Sequence, residues 1–302
     1  MKLSIYSPAG VVVRPPALRL ACRRLNGMGF EARLDADALA RHQRFAGDDD
    51  TRLAALHRVA DAAPSIALAA RGGYGLMRLL DRIHWPQLAR SVERGTRWVG
   101  YSDLTSLQLG LLAHAKAGSW AGPLAVDDFG RSDAEGGVDE VTAEVFGEAM
   151  RGELEAVGFR TDAGHHGLGV RGTLWGGNLA TLCSLLGTPH FPRIRGGVLF
   201  VEEVNEHPYR VERGLLQLLQ AGVLSAQKVV LVGAVNAWRA APQDRGYTLK
   251  TALDAVRART TVPLIAGLPF GHVPTKVCLP LGRRADVVVE RRDVLVAWGH
   301  AG

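Results

Sequence analysis

Over its first 125 residues the chain alternates short apolar runs with longer amphipathic stretches. "KLSIYS", "SIALAA" and "RWVGYS" read as strands. "PPALRLACRRLNGMG" reads as a helix, with proline near its start and glycine at its end. "TRLAALHRVADA" sets Leu53, Leu56, Val59 and Ala60 at helical spacing. "GLMRLLDRI" and "LTSLQLGLLAHAKAG" add a third and a fourth helix. Strands alternating with helices imply crossover connections, and crossovers build a parallel sheet covered on both faces. The expectation is an α/β fold whose N-terminal domain, residues 1–130, is flavodoxin/Rossmann-like.

Residues 127–168 differ. The stretch "DDFGRSDAEGGVDEV" is polar and rich in glycine, one helix "EVTAEVFGEAMRG" follows, and "GHHGLGVRG" closes the segment. The linker is placed at 131–168. The second domain, 169–302, opens with "GTLWGGNLATLCSLLGTP", a glycine-rich turn into a helix. Strands "GVLFVEEV", "KVVLVGAV" and "VPLIAG" then alternate with helices "YRVERGLLQLLQAG" and "LKTALDAVRAR". Short strands "KVCLPLG", "ADVVVE" and "VLVAW" end it. This is a mixed α/β C-terminal domain with short terminal strands.

Composition narrows the function classes. A chain of 302 residues, 47% apolar and 22% charged, is long enough for two domains. No apolar run approaches the roughly 20 residues of a membrane span. The start, "MKLSIYSPAG", lacks a long apolar segment with a small-residue cleavage site. A cytoplasmic protein with no membrane partner is expected. The net charge is +6, and 31 of the 36 basic residues are arginine. They are scattered among acids rather than gathered in a stripe, so no nucleic-acid partner is expected. Cys22, Cys183 and Cys278 stand far apart and form no C-x-x-C pair, and His165-His166 has no second ligand cluster. No metal or other cofactor is expected.

Four places could carry chemistry. Ser102 follows the strand "RWVG" at the foot of the next helix, where open α/β sheets form their sites. It is either a helix cap or a nucleophile on a strand-to-helix elbow. Only half of G-x-S-x-G is present, since Leu104 replaces the second glycine. "ARGGYG", residues 70–75, ends the preceding strand. Gly72, Gly73 and Gly75 suit either a tight turn or a loop of exposed N–H groups for an anion. Glu202 and Glu203 follow an apolar strand and face opposite ways, so one can point into a site while the other meets solvent. His272 lies in a Gly/Pro-rich loop after "VPLIAG".

Taken in order, "ARGGYG", "GYSDLTSL", "GTLWGGNLATLCSLLGTP", "LFVEEVNEHPYRVERGLLQL" and "VPLIAGLPFGH" resemble the LD-carboxypeptidase family. That superfamily also holds the microcin-immunity serine peptidases. The resemblance runs from residue 70 to 272, and "GTLWGGNL" and "NEHPYRVER" look especially like its muramoyltetrapeptide carboxypeptidase branch. It implies a serine peptidase with Ser102 as nucleophile, Glu202 as the acid and His272 as the base, in a groove between the two domains. For the oxyanion, the backbone N–H groups of Asp103 and Gly73 are the expected donors, with Gly72 the next choice. The implied substrate is the cytoplasmic murein tetrapeptide, free or as its muramoyl or anhydromuramoyl conjugate, from which the terminal D-Ala is removed in peptidoglycan recycling. A carboxypeptidase must bind a free carboxylate, for which Arg71 and Arg210 are the candidates, with Gly72 a further substrate-binding candidate. The resemblance also implies a homodimer. Two other readings stay open: a relative that hydrolyses a peptide–nucleotide conjugate, and a non-enzymatic α/β ligand-binding module.

Overall fold

The computed structural model describes residues 1–162 and 164–299; residues 163 and 300–302, which fall within the expected linker and second domain, lie outside it. Strands β1 (Lys2–Tyr6), β2 (Glu31–Leu34), β3 (Ile66–Ala69), β4 (Arg97–Gly100) and β5 (Ser119–Ala121) form a parallel sheet in the order 2-1-3-4-5. Helices α1 (Pro15–Gly27), α2 (Asp49–Ala62), α3 (Trp85–Glu93) and α4 (Leu104–Ala115) make the connections. That order is the flavodoxin-like one. All four residues of β3 are buried, as a central strand covered on both faces requires.

Helix α4 is apolar on every side, and its first nine residues are buried. The reason is its neighbours: it packs on its own sheet and on the second half of the chain, where Thr105 Oγ1 accepts the N–H of Asn178 at 3.0 Å. The expected helix "GLMRLLDRI" is two short 3₁₀ turns, 76–78 and 80–82. The helix proper starts later, at α3, where Pro86 occupies its first turn and lacks the N–H that a continuing helix would need.

The second half comprises α5 (Glu140–Arg151), β6 (Ala156–Arg160), β7 (Gly169–Asn178), α6 (Leu179–Ser184), β8 (Val198–Val204), α7 (Pro208–Gln220), β9 (Val229–Asn236), α8 (Leu249–Arg257), β10 (Leu264–Ala266), β11 (Leu279–Leu281), β12 (Arg284–Glu290) and β13 (Asp293–Ala297). Its sheet runs 10-9-8-7-12-13-6, parallel from β7 to β10 and antiparallel beyond.

Three segments differ from the expectation. The stretch 131–168 holds the expected helix "EVTAEVFGEAMRG" as α5, capped by Asp139 and burying Phe146, Ala149 and Met150, but also an unexpected strand, β6, which pairs with β13 from Ala156↔Ala297 to Arg160↔Asp293. The glycine-rich turn before α6 is the ten-residue strand β7. Its glycines mark close approach rather than a turn, since a Cβ on Gly177 would stand 2.3 Å from Thr105 Oγ1. And β11 leaves the second half to pair antiparallel with β5, at the edge of the first sheet. The two halves also meet where His190 bridges His114 and Asp81, at 2.9 Å each. No helix among the described residues is long and apolar enough to cross a membrane.

Candidate active site

Ser102 sits between β4 and α4 with φ +66°, a left-handed conformation that a serine adopts at a cost. Its hydroxyl does not cap α4; that position falls to Asp103. The elbow is held from behind by Gln108, whose Nε2 donates to the carbonyls of Gly100 and Trp120, at 2.9 Å each.

Ser102 Oγ lies 3.1 Å from His272 Nε2, and His272 Nδ1 lies 2.7 Å from Glu202 Oε2. A carboxylate only accepts, so Nδ1 carries the proton and Nε2 is left to accept from the serine hydroxyl. Glu202 is buried on β8, at an irregularity in its pairing with β9 between Val201 and Glu203. Such irregularities re-aim side chains. Glu203 does not meet solvent. It is buried and accepts from Asn178 Nδ2 (2.9 Å) and the Ala180 N–H (2.7 Å), so it anchors the start of α6. Asn236 Nδ2 donates to the His272 carbonyl at 2.6 Å, and the Tyr101 ring meets the imidazole edge-on at 4.8 Å. Three residues from three strand ends, in both halves of the chain, thus form one hydrogen-bonded chain.

The glycine loop closes over this serine. A Cβ on Gly72 would stand 2.9 Å from Ser102 Cβ and 3.0 Å from Oγ. The Gly72 carbonyl accepts the Gly10 N–H at 3.0 Å. The buried Arg52 donates to the carbonyls of Gly75 (2.8 Å) and Pro8 (3.0 Å). Asp103 ties the loop to the elbow, its Oδ2 accepting from the Leu76 N–H at 2.8 Å. Neither the Gly73 nor the Asp103 N–H makes an internal hydrogen bond among the described residues.

These groups line a cleft of about 580 Å³, together with Arg71, Asp127, Asp128, Arg131, Asn205 and Lys276. Arg71 spends one N–H on the Val11 carbonyl, at 3.0 Å. Arg210 lies elsewhere: it is on α7, ion-paired with Glu206 at 3.4 Å, and does not line the cleft. Asp127, Asp128, Arg131 and Lys276 escaped the sequence reading. Asp128 and Lys276 form a buried ion pair beneath Tyr101, bridging 148 residues of chain. The available signal was position: "PLAVDDF" follows β5, the strand beside β4, and strand ends there face the crevice. A larger depression of about 770 Å³ lies by α7, lined by Tyr209, Glu212 and Tyr247, and holds none of the Ser102–His272–Glu202 set. Among the described residues no three His, Cys, Asp or Glu side chains are grouped so as to hold a metal ion.

Burial pushes the Asp103 carboxyl up to about 6 from an ordinary 3.8, against the N–H groups that favour its ionised form. The folded state therefore holds an extra proton between about pH 4 and 6, and this contribution to stability is lost as pH rises through 6. Asp103→Asn does not titrate there. Wild type is expected to lose about 2–3 kcal/mol relative to that variant between pH 4 and 7. Parallel denaturation series that keep a constant gap would show that Asp103 is not the titrating group.

The fold and the hydrogen-bonded Ser102–His272–Glu202 chain define a two-part α/β protein whose cleft draws on both halves. Family models for the LD-carboxypeptidase N-terminal and C-terminal domains match residues 3–122 and 171–287. A putative carboxypeptidase of Streptomyces coelicolor is 31% identical over 95% of this chain and 90% of its own. The crystal structure of muramoyltetrapeptide carboxypeptidase from Oxalobacter formigenes superposes with a TM-score of 0.90 at 36% identity, covering 99% of both chains. MccF, solved with glutamyl sulfamoyl guanosine, shares the fold at TM-score 0.86 and 17% identity, over 100% of this chain and 97% of its own. The chain belongs to the LD-carboxypeptidase family, and it is a serine-type carboxypeptidase.

Proposed function

We propose that this protein is an L,D-carboxypeptidase that releases the terminal D-Ala from murein tetrapeptides in cytoplasmic peptidoglycan recycling. The observation that carries the reading is the Ser102–His272–Glu202 chain in a cleft that also holds Arg71, in a member of this family. His272 Nε2 takes the Ser102 proton as Oγ attacks the scissile carbonyl. Glu202 holds the Nδ1–H tautomer and stabilises the imidazolium. The oxyanion is received by the N–H groups of Asp103 and Gly73, each worth on the order of 3 kcal/mol. As the intermediate collapses, the C–N bond breaks and His272 returns the proton to the leaving D-Ala amine. A water, deprotonated by His272, then cleaves the acyl–Ser102 ester. Arg71 takes the free terminal carboxylate.

The L,D assignment has a direct test. Inverting the acyl-side carbon swaps its side chain and hydrogen, and the carbonyl can no longer meet both Ser102 and the N–H donors. A displacement of about 1 Å there costs on the order of 10²-fold. D-Ala release from a murein tetrapeptide is expected to exceed release from a pentapeptide ending in D-Ala-D-Ala by at least about that factor. Equal release would mean D,D-specificity. Release from neither, with hydrolysis of an aminoacyl sulfamoyl nucleoside, would move the protein to the peptide–nucleotide reading.

A further inference from the structure

The carboxylates around the cleft are committed, with one exception. Glu202 serves His272, Asp128 serves Lys276 and the Leu124 N–H, and Asp103 serves the Leu76 N–H. Asp127 has no hydrogen-bond or ion-pair partner among the described residues, yet it lines the same cleft as Ser102 and His272. It stands on a one-turn π-type helix, 125–129, after β5, where consecutive residues diverge: Asp128 turns inward to Lys276 and Asp127 opens into the cleft. Its side chain is exposed to water in the cleft. Desolvation at the cleft wall and the Asp128 charge raise its pKa, and Arg71, His272 and Lys276 offset part of that. A water-exposed carboxylate with no protein partner in the cleft is free to accept from a ligand cation. Arg131, four residues on, lines the same wall. The wall thus offers an acceptor for an ammonium beside a donor for a carboxylate.

We infer that Asp127 is a specificity-determining residue that binds an ammonium group at the far end of the acyl-side residue's side chain, so that the enzyme selects diamino acids at that position. The inference rests on the carboxypeptidase reading. It separates Asp127 from the residues that act on the scissile bond: Asp127 discriminates between side chains, and the Ser102 chain cleaves whatever is presented.

The test uses three tetrapeptides that differ only in the residue before D-Ala: diaminopimelate, L-lysine and the neutral L-norleucine. With wild type, kcat/KM for the two peptides that carry a side-chain ammonium is expected to exceed that for the norleucine peptide by at least about tenfold. Asp127→Asn should bring that ratio to within about twofold, mainly through KM, with the pH profile of kcat unmoved. Asp127→Glu should restore part of the preference. A ratio that survives in Asp127→Asn, or a variant that slows all three peptides equally with a shifted pH profile, would overturn the inference and make Asp127 a partner of His272. Wild type that releases D-Ala from none of the three would overturn the carboxypeptidase reading itself, and this inference with it.

Discussion

Ser102→Ala is expected to lower kcat for D-Ala release by about 10⁴-fold or more, with the fold intact. The hydroxyl makes a single hydrogen bond, to His272 Nε2, so its loss leaves no buried group stranded. His272→Ala should cost a similar factor, and the double variant should be within a few-fold of either single one, because the two side chains act as one unit. Losses that add in log kcat would mean that His272 is not the base. The backbone supplies a second readout. Serine at φ +66° is strained and glycine is not, so Ser102→Gly should be inactive yet more stable, by about 1 kcal/mol. Thermal unfolding and amino-acid release on the same preparations separate chemistry from folding.

Gly72→Ala is expected to reduce kcat/KM by about 10³-fold while the chain still folds. Its new methyl would press on Ser102 Cβ at 2.9 Å and Oγ at 3.0 Å. The elbow cannot yield on its far side, where Gln108 holds the ends of β4 and β5. The loop is pinned in turn by Asp103, Arg52 and Gly10. Ser102 would turn away from His272 by a fraction of an ångström to one ångström, worth on the order of 10²-fold. The adjacent Gly73 N–H would be displaced from the oxyanion at further cost. Activity within threefold of wild type would mean that the loop moves freely, and would remove Gly73 as a donor.

The parts of this molecule that could be read in its sequence are those governed by local pattern. Strands β1, β3 and β4 of the first sheet showed as largely apolar runs, because burial on both faces demands them. Ser102, Glu202 and His272 stood out only as candidates by their places after β4, within β8 and in the loop after β10, and it was the family resemblance that joined them into one set. Strands β2, β5 and β6 are three to five residues long and too short to show a period, and of β11 the strand itself was legible but not its pairing with β5. Strand β7 hid behind glycines that only its contact with α4 explains. Arg210 was a candidate only because a carboxypeptidase needs a cation for the free carboxylate, and its side chain pairs with Glu206 instead. The place of Asp128 after β5 was a signal that could have been used, but its pairing with Lys276 could not be read, since it is a product of tertiary folding.

The placement of β11 bears on how relatives of this chain can be recombined. The two family models divide the sequence cleanly, at 122 and 171, as though each half were a cassette. In space the division fails. Residues 279–281 close the edge of the first sheet, with Leu279 opposite Ala121, Pro280 opposite Trp120 and Leu281 opposite Ser119. A chimera spliced in the gap between the models would join β5 of one parent to β11 of another, and a first half made alone would present β5 as a naked edge, open to pairing with other chains. The heritable unit is therefore the N-terminal half together with its own 279–281 strand, and crossovers that respect it must fall on both sides of that strand.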